Sequence, residues 1–198
     1  MDQASRMARA EQMGFDTKNP VYHGTRADIQ EFDLNKGTRN SDPGFYGKGH
    51  YFGSANQADN YAKKWNEEYL KQGENIIPVY IRGNFLEIIN QGPMDDAFSR
   101  EIVKLGYKGR NPNYPDTNGE IAKFLQSKGY DGVKVYAGHK NGELEEVSVF
   151  DPKNIRSVNA KFDPKKKDSS DILAGVTPLL GGASVAAALS GLTKGNRK

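Results

Sequence analysis

Sixteen residues from Gly47 to Ala62 constrain this chain more than any other stretch. They begin Gly47-Lys48-Gly49-His50-Tyr51-Phe52-Gly53-Ser54 and end Ala58-Asp59-Asn60-Tyr61-Ala62. Two closely spaced glycines admit a tight backbone path, and Tyr51-Phe52 then reads as a short strand. Ser54 is a good helix N-cap, and Gln57 three residues on completes a capping box, so a helix is expected from about Ala55 towards Leu70. Tyr61 lies two turns beyond Ser54, near the face that follows Tyr51. Two aromatic rings would then edge one cleft and could hold a flat ligand between them. Taken alone, aromatics at such spacing more often belong to a core. Two other stretches, Val21-Tyr22-His23-Gly24-Thr25 and Glu146-Val147-Ser148-Val149-Phe150-Asp151, give the pattern its meaning.

Composition narrows the field mainly by exclusion. The 198 residues suffice for one domain with a real core plus an appendage, and 36% apolar with 27% charged residues suits a globular protein. A net charge of +3 argues against nucleic acid as the main partner. With no cysteine, a disulfide framework, a thiolate zinc site and a cysteine nucleophile are all excluded. The three histidines, His23, His50 and His139, argue against a multi-histidine metal centre, so no metal is expected. The charged start, Met1 to Gly14, lacks the apolar run of a secretory signal.

In chain order, residues 3–13 read as a short docking helix stopped by Gly14, with Met7, Ala10 and Met13 at helical spacing. Val21-Tyr22-His23 reads as a strand after Pro20, and Gly24 is a place where a ligand can approach the main chain. Ala27 to Phe45, rich in Asp, Asn, Gly and Ser, reads as a long loop over the cleft anchored by Ile29, Phe32 and Leu34. Trp65 and Tyr69 are expected on the buried face of the helix after Ser54. Strands follow at 76–82 and 85–88, a hairpin-like or kinked pair about Gly83-Asn84. Helices are expected at 94–105 and 118–128, each closed by a glycine. The last strands are expected at 130–136, 145–150 and 155–158. Strands interspersed with helices, without regular βαβ alternation, predict an α+β domain over residues 1–160. Residues 161–171, with three consecutive lysines, read as a linker.

The remaining stretch, 172–198, is an apolar Gly/Ala-rich tail. Ile172 to Leu192 carries no charge over twenty-one residues, long enough for a bilayer's hydrocarbon core of ~30 Å. It nevertheless contains Pro178 and few large apolar residues. A partner-packing or partly disordered tail, a membrane-associated helix and a spanning helix all stay open, as does a virion-protein contact through 172–192.

Together, His23-Gly24-Thr25, the Gly47–Tyr61 block and the Glu146 strand resemble the His-Tyr-Glu class of ADP-ribosyltransferases, the diphtheria-toxin and poly(ADP-ribose) polymerase side of that superfamily. With the leading Arg9-Ala10-Glu11-Gln12-Met13-Gly14-Phe15-Asp16, the chain is most similar to ADP-ribosyltransferase-like domains in polyvalent proteins of tailed phages and related mobile elements, over about residues 6–160. The resemblance implies a split β-sandwich of two small, mostly antiparallel sheets with flanking helices around an NAD cleft. It implies that His23 binds the adenine-side ribose, that Gly24 binds the nicotinamide carboxamide through its backbone, and that Tyr51 and Tyr61 sandwich the nicotinamide. Phe52 belongs to the same block, Thr25 and Arg26 would assist at ribose and pyrophosphate, and Glu146 would stabilise charge on the nicotinamide ribose. His23, Tyr51 and Glu146 are thus the expected catalytic set.

Two departures accompany the resemblance. Ala58 stands where the polymerases carry a serine, and the residue two before Glu146 is Leu144 rather than the glutamate of arginine-specific relatives, although Glu143-X-Glu145 leaves the register open. The expected activity is transfer of a single ADP-ribose from NAD to a macromolecule, a host protein, in the host cytoplasm, with carriage in the virion and membrane association of the tail both open. NAD hydrolysis and a catalytically idle virion or interaction module are the alternatives. On the bland readings, His23 is a structural histidine, Glu146 the solvent face of a strand, and His50 points away from Tyr51.

Overall fold

The computed structural model describes residues 2–25, 29–35, 44–64, 75–92, 96–139 and 142–173. Arg26, Trp65, Tyr69 and the tail beyond Leu173 lie outside these described residues. Seven strands and four α-helices follow the order α1 (Gln3–Gln12), β1 (Val21–Thr25), β2 (His50–Phe52), α2 (Ala55–Lys64), β3 (Asn75–Ile81), β4 (Phe85–Asn90), α3 (Ala97–Lys104), α4 (Glu120–Ser127), β5 (Gly132–Ala137), β6 (Leu144–Val149) and β7 (Ile155–Ser157). They form a three-stranded sheet, β1-β3-β7, and a four-stranded sheet, β2-β6-β5-β4. Every pairing is antiparallel except β4 with β5. This is the expected α+β arrangement of two small sheets.

The inner faces of the two sheets share one apolar cluster, with Val21, Ile77, Val79, Ile81 and Ile155 from one and Phe52, Val147 and Val149 from the other. Outside the second sheet, α3 and α4 cover Leu86, Ile88, Val133 and Val135. The sheets are stitched where the main chains of Tyr22 and Gly53 exchange two hydrogen bonds of 3.0 Å.

The strands about Gly83-Asn84 are kinked apart rather than folded into a hairpin, since β3 and β4 belong to different sheets. Gly83 makes the corner at φ +129°, where a Cβ would also lie 2.6 Å from Asp131 Cβ. Helix α1 docks as expected, with Ala10 fully buried and Met7 and Met13 packed beside it against Phe15, Ala160 and Phe162.

Residues 161–171, which compositionally read as a linker, are packed onto this domain. Phe162 is fully buried with its backbone left-handed at φ 51°, a strained conformation offset by ring contacts to Phe15 at 5.4 Å and Tyr80 at 6.2 Å. Arg156, also fully buried, donates to the carbonyls of Lys166 at 3.1 Å and Lys167 at 3.3 Å, and Arg82 donates to Lys167 O at 2.7 Å. Burial, then the neighbouring Arg82, lowers the Arg156 guanidinium to about 10. Lysine-rich composition disguised a segment held by its backbone carbonyls. No helix among the described residues is long and apolar enough to cross a membrane.

Candidate active site

Strand β1 is an edge of its sheet, and its ladder decides what it can offer a ligand. Tyr22 pairs with Pro78, which has no N–H, and both main-chain groups of Tyr22 turn instead to Gly53, the residue just after β2. Main-chain polar groups alternate sides along an antiparallel strand, so the N–H and C=O of Gly24 also point to the β2 side. They do so one step beyond the last bridge between the sheets. A donor and an acceptor side by side are what a carboxamide requires.

Gly24 is a glycine for a second reason. A Cβ there would lie 1.9 Å from the Ala58 carbonyl oxygen on α2, so the helix packs directly on the strand. Ala58 is buried in that contact. Helix α2 starts with the expected capping box: Gln57 N donates to Ser54 Oγ at 3.3 Å, and Ser54 N donates to Gln57 Oε1 at 2.8 Å.

His23, one residue earlier, turns towards the seam, with Nδ1 2.8 Å from the Tyr51 carbonyl oxygen. A carbonyl only accepts, so Nδ1 carries the proton and Nε2 carries the lone pair. Burial lowers the imidazole's pKa, partly opposed by this hydrogen bond, so the neutral ring prevails at neutral pH. The ring is wedged between Phe32 at 5.2 Å and Phe52 at 5.6 Å. Phe52, expected in the ligand-contacting block, is only 3% exposed and backs His23 from the core.

The ladder between β2 and β6 places Tyr51 opposite Ser148 and Phe52 opposite Val147. Side chains alternate, so Tyr51, Ser148 and Glu146 share one face of this sheet. The register shifts just beyond, because Glu146 faces Val135 while Leu144 faces Tyr136, leaving Glu145 as the extra residue of a bulge. That bulge brings two consecutive carboxylates to the same neighbourhood. Glu145 Oε2 accepts from Asn90 Nδ2 at 2.9 Å. The Tyr46 phenol lies within electrostatic reach of both: burial first, then Glu146 and Glu145, raise its pKa above the ordinary value. Tyr46 therefore stays a neutral donor.

The loop Gly44–Gly49 is held by buried polar groups. Tyr51 OH donates to Gly47 O at 2.7 Å and accepts from Tyr46 N at 3.0 Å, while Ser148 Oγ donates to Gly47 O at 3.3 Å. Asp116, only 6% exposed, accepts from Lys48 N at 2.9 Å and from Ile121 N and Ala122 N of α4 at 3.2 and 3.1 Å. It replaces the absent cap of α4, whose N-cap residue Gly119 provides no side chain, and locks helix and loop together. All three loop glycines lack room for a side chain: a Cβ on Gly44 would lie 2.0 Å from Tyr51 OH, one on Gly47 2.8 Å from the Phe150 ring, and one on Gly49 2.5 Å from Ser148 Oγ.

Tyr61 sits on α2 with 44% of its surface exposed. Thr25 ends β1 opposite Asn75. His50 turns from Tyr51 to the opposite face, against Phe32 at 5.0 Å, so it is no part of this cleft. A cleft of about 520 Å³, part of it open to solvent, begins beside Tyr46, Asn90 and Val135 and continues past Phe45, Phe98 and Asn113. Tyr46, Ser148 and Asp116 were not singled out in the sequence, and Glu145 entered only through the open register of Glu143-X-Glu145. Of the first three, only Asp116 left a signal, an acidic residue just before a helix, obscured by its Pro- and Asn-rich surroundings.

Two small sheets stitched at one seam, with helices α3 and α4 on one of them, form the ADP-ribosyltransferase fold. Residues 17–163 match the family described as ADP-ribosyltransferase in polyvalent proteins, and the chain belongs to that family. Neither the curated proteins nor the solved structures yield a match to this chain. Members of this class transfer ADP-ribose and use NAD as substrate.

Proposed function

We propose that this protein transfers a single ADP-ribose unit from NAD to a macromolecular acceptor, a host protein, and releases nicotinamide. The observation that carries the reading is the pair of Gly24 main-chain groups directed to the β2 side, beside His23 and Tyr51. They suit the carboxamide of nicotinamide, with the rings of Tyr51 and Tyr61 as stacking partners. The His23 Nε2 lone pair accepts from a hydroxyl of the adenine-side ribose. Thr25 and Arg26 follow on the same strand path and serve ribose and pyrophosphate, for which a guanidinium fork is well shaped.

In the chemical step the C1′–N bond breaks and its electron pair leaves with nicotinamide, so positive charge develops on the ribose. The Glu146 carboxylate stabilises that charge more than the ground state, an effect worth ~3–4 kcal/mol for one well-placed group. The acceptor's attacking atom forms the new bond to C1′, and its proton passes to the carboxylate. The cleft beside Tyr46, a residue within electrostatic reach of Glu146, is the surface on which we place the approach of a macromolecule. The site of action that follows is the host cytoplasm.

The experiment is NAD consumption by the full chain, with Glu146→Gln alongside, using NAD labelled on the adenosine and a bacterial lysate. Glu146-dependent nicotinamide release with label on a lysate protein supports transfer. Release without label identifies a hydrolase. Binding of NAD without turnover leaves an interaction module.

A further inference from the structure

The family match ends at residue 163, yet the chain returns to the site after it. Beyond the carbonyls clamped by Arg156 and Arg82, residues Ser169–Leu173 run along the open edge of β7, where Ser157 N donates to Ile172 O at 2.9 Å. On its other side, Ile172 N donates to Gln30 O at 3.2 Å and Asp171 bridges Glu31. Ser170 Oγ adds a 3.3 Å bond to Glu31 Oε2. The stretch thus lies between β7 and residues 30–31, extending the first sheet past β7. The Ile172 side chain is fully buried in the cluster that holds Val21, Phe32 and Phe52. Phe32, the next residue, is the ring that packs edge-on against His23 and also touches His50 and Phe52.

We propose that Ser169–Leu173 is a positioning strap, anchored by Ile172, that seats Phe32 against His23 and thereby sets how tightly NAD is held. The proposal rests on His23 being an NAD contact, as read above. A main-chain bond and a buried isoleucine fix residues 30–32 from outside the family's own boundary. When that anchor is lost, residues 30–31 lose this link to β7, and Phe32 follows them directly in the chain. His23 keeps its bond to Tyr51 O but loses the ring that fixes its tilt. Ile172 touches no reacting group, so chemistry after binding is left alone.

The test uses the full chain with Ile172→Ser, the milder Ile172→Ala, and Ile172→Val as the conservative rescue. Two readouts are taken: the imidazole proton resonances, only three histidines in number, and steady-state NAD kinetics. The His23 and His50 resonances feel the ring current of Phe32, whereas His139 serves as the internal control. The expected result is displacement of both in Ile172→Ser and Ile172→Ala, with KM for NAD up about tenfold, equivalent to 1.4 kcal/mol, and kcat within about twofold. Ile172→Val restores both. Unmoved His23 and His50 resonances in folded Ile172→Ala overturn the strap whatever the enzyme does with NAD. Displaced resonances with unchanged KM overturn its role in NAD affinity. A fall in apparent kcat with KM unchanged is the signature of general unfolding and also overturns it. If the wild-type chain neither binds nor consumes NAD, the functional reading fails, and this claim on NAD affinity fails with it, while the resonances still report whether Ile172 seats Phe32.

Discussion

The two faces of β2 differ in how they are held, although the strand is only three residues long. On one face, Tyr51 is surrounded by polar groups, each matched by a partner: its own hydroxyl makes two bonds, Ser148 adds a third to the same loop, and Asp116 closes the far side with three. On the other face, His50 and Phe52 lie among Phe32, Val147 and Val149. There His50 Nε2 is buried with no hydrogen-bond partner. Directional bonds fix the angle of a side chain one partner at a time, whereas apolar packing holds it through the joint fit of many neighbours. The face proposed for chemistry is the one built from directions.

The largest effect is expected where the polar face is broken. Asp116→Ala strands three backbone N–H groups and uncouples the Gly44–Gly49 loop from α4, so a loss of about 3–5 kcal/mol is expected in denaturant unfolding. Unchanged stability would mean that the loop is held by something else. Next comes Glu146→Gln, which keeps shape but removes charge. The expected kcat for nicotinamide release falls by roughly 10²–10³, with NAD affinity by calorimetry nearly intact. Wild-type turnover in that variant would remove Glu146 from the site.

The apolar face is sharpened by pH. Burial, with the neighbouring His23 second, depresses His50 to about 4, partly opposed by Asp33 and Asp151. Both folded and unfolded His50 are neutral at pH 7, so nothing is gained or lost there. Below the unfolded value of 6.5 the unfolded chain binds the proton and the folded one does not, so stability falls as pH drops, until the folded group titrates near 4. The share from His50 is on the order of 3 kcal/mol by pH 4. His50→Phe should remove that share, flattening the fall in melting temperature between pH 6.5 and 4, although His23 contributes in the same direction. An equally steep fall would place the acid sensitivity elsewhere. The smallest effect belongs to Phe32→Leu, an apolar exchange expected to cost about 1–1.5 kcal/mol. Its use is comparative, since KM for NAD should rise more than stability alone would suggest.

Much of this was written locally. The capping box of Ser54 and Gln57 formed as spaced, the α1 stripe of Met7, Ala10 and Met13 found its groove, and the opposite orientation of His50 and Tyr51 followed from strand alternation. What escaped was relational. A bulge at Glu145 depends on how β6 meets β5, and no property of Glu145 itself announces it. The split of β3 from β4 into separate sheets depends on which neighbours each strand finds. The lysine-rich stretch after Phe162 looked solvated because its side chains are, while its carbonyls were claimed by two arginines far away in sequence.

By itself, then, the sequence determined the elements, the three motifs and the class of fold, because helix caps, strand alternation and glycine punctuation act over a few residues. Tertiary structure alone decided that Gly24 presents its main chain beyond the last bridge between the sheets, that Asp116 joins a loop to a helix, and that Ile172 returns to seat Phe32. The reason is physical: hydrogen bonds and buried contacts between residues far apart in sequence form only when the whole chain has brought them within a few ångströms of each other.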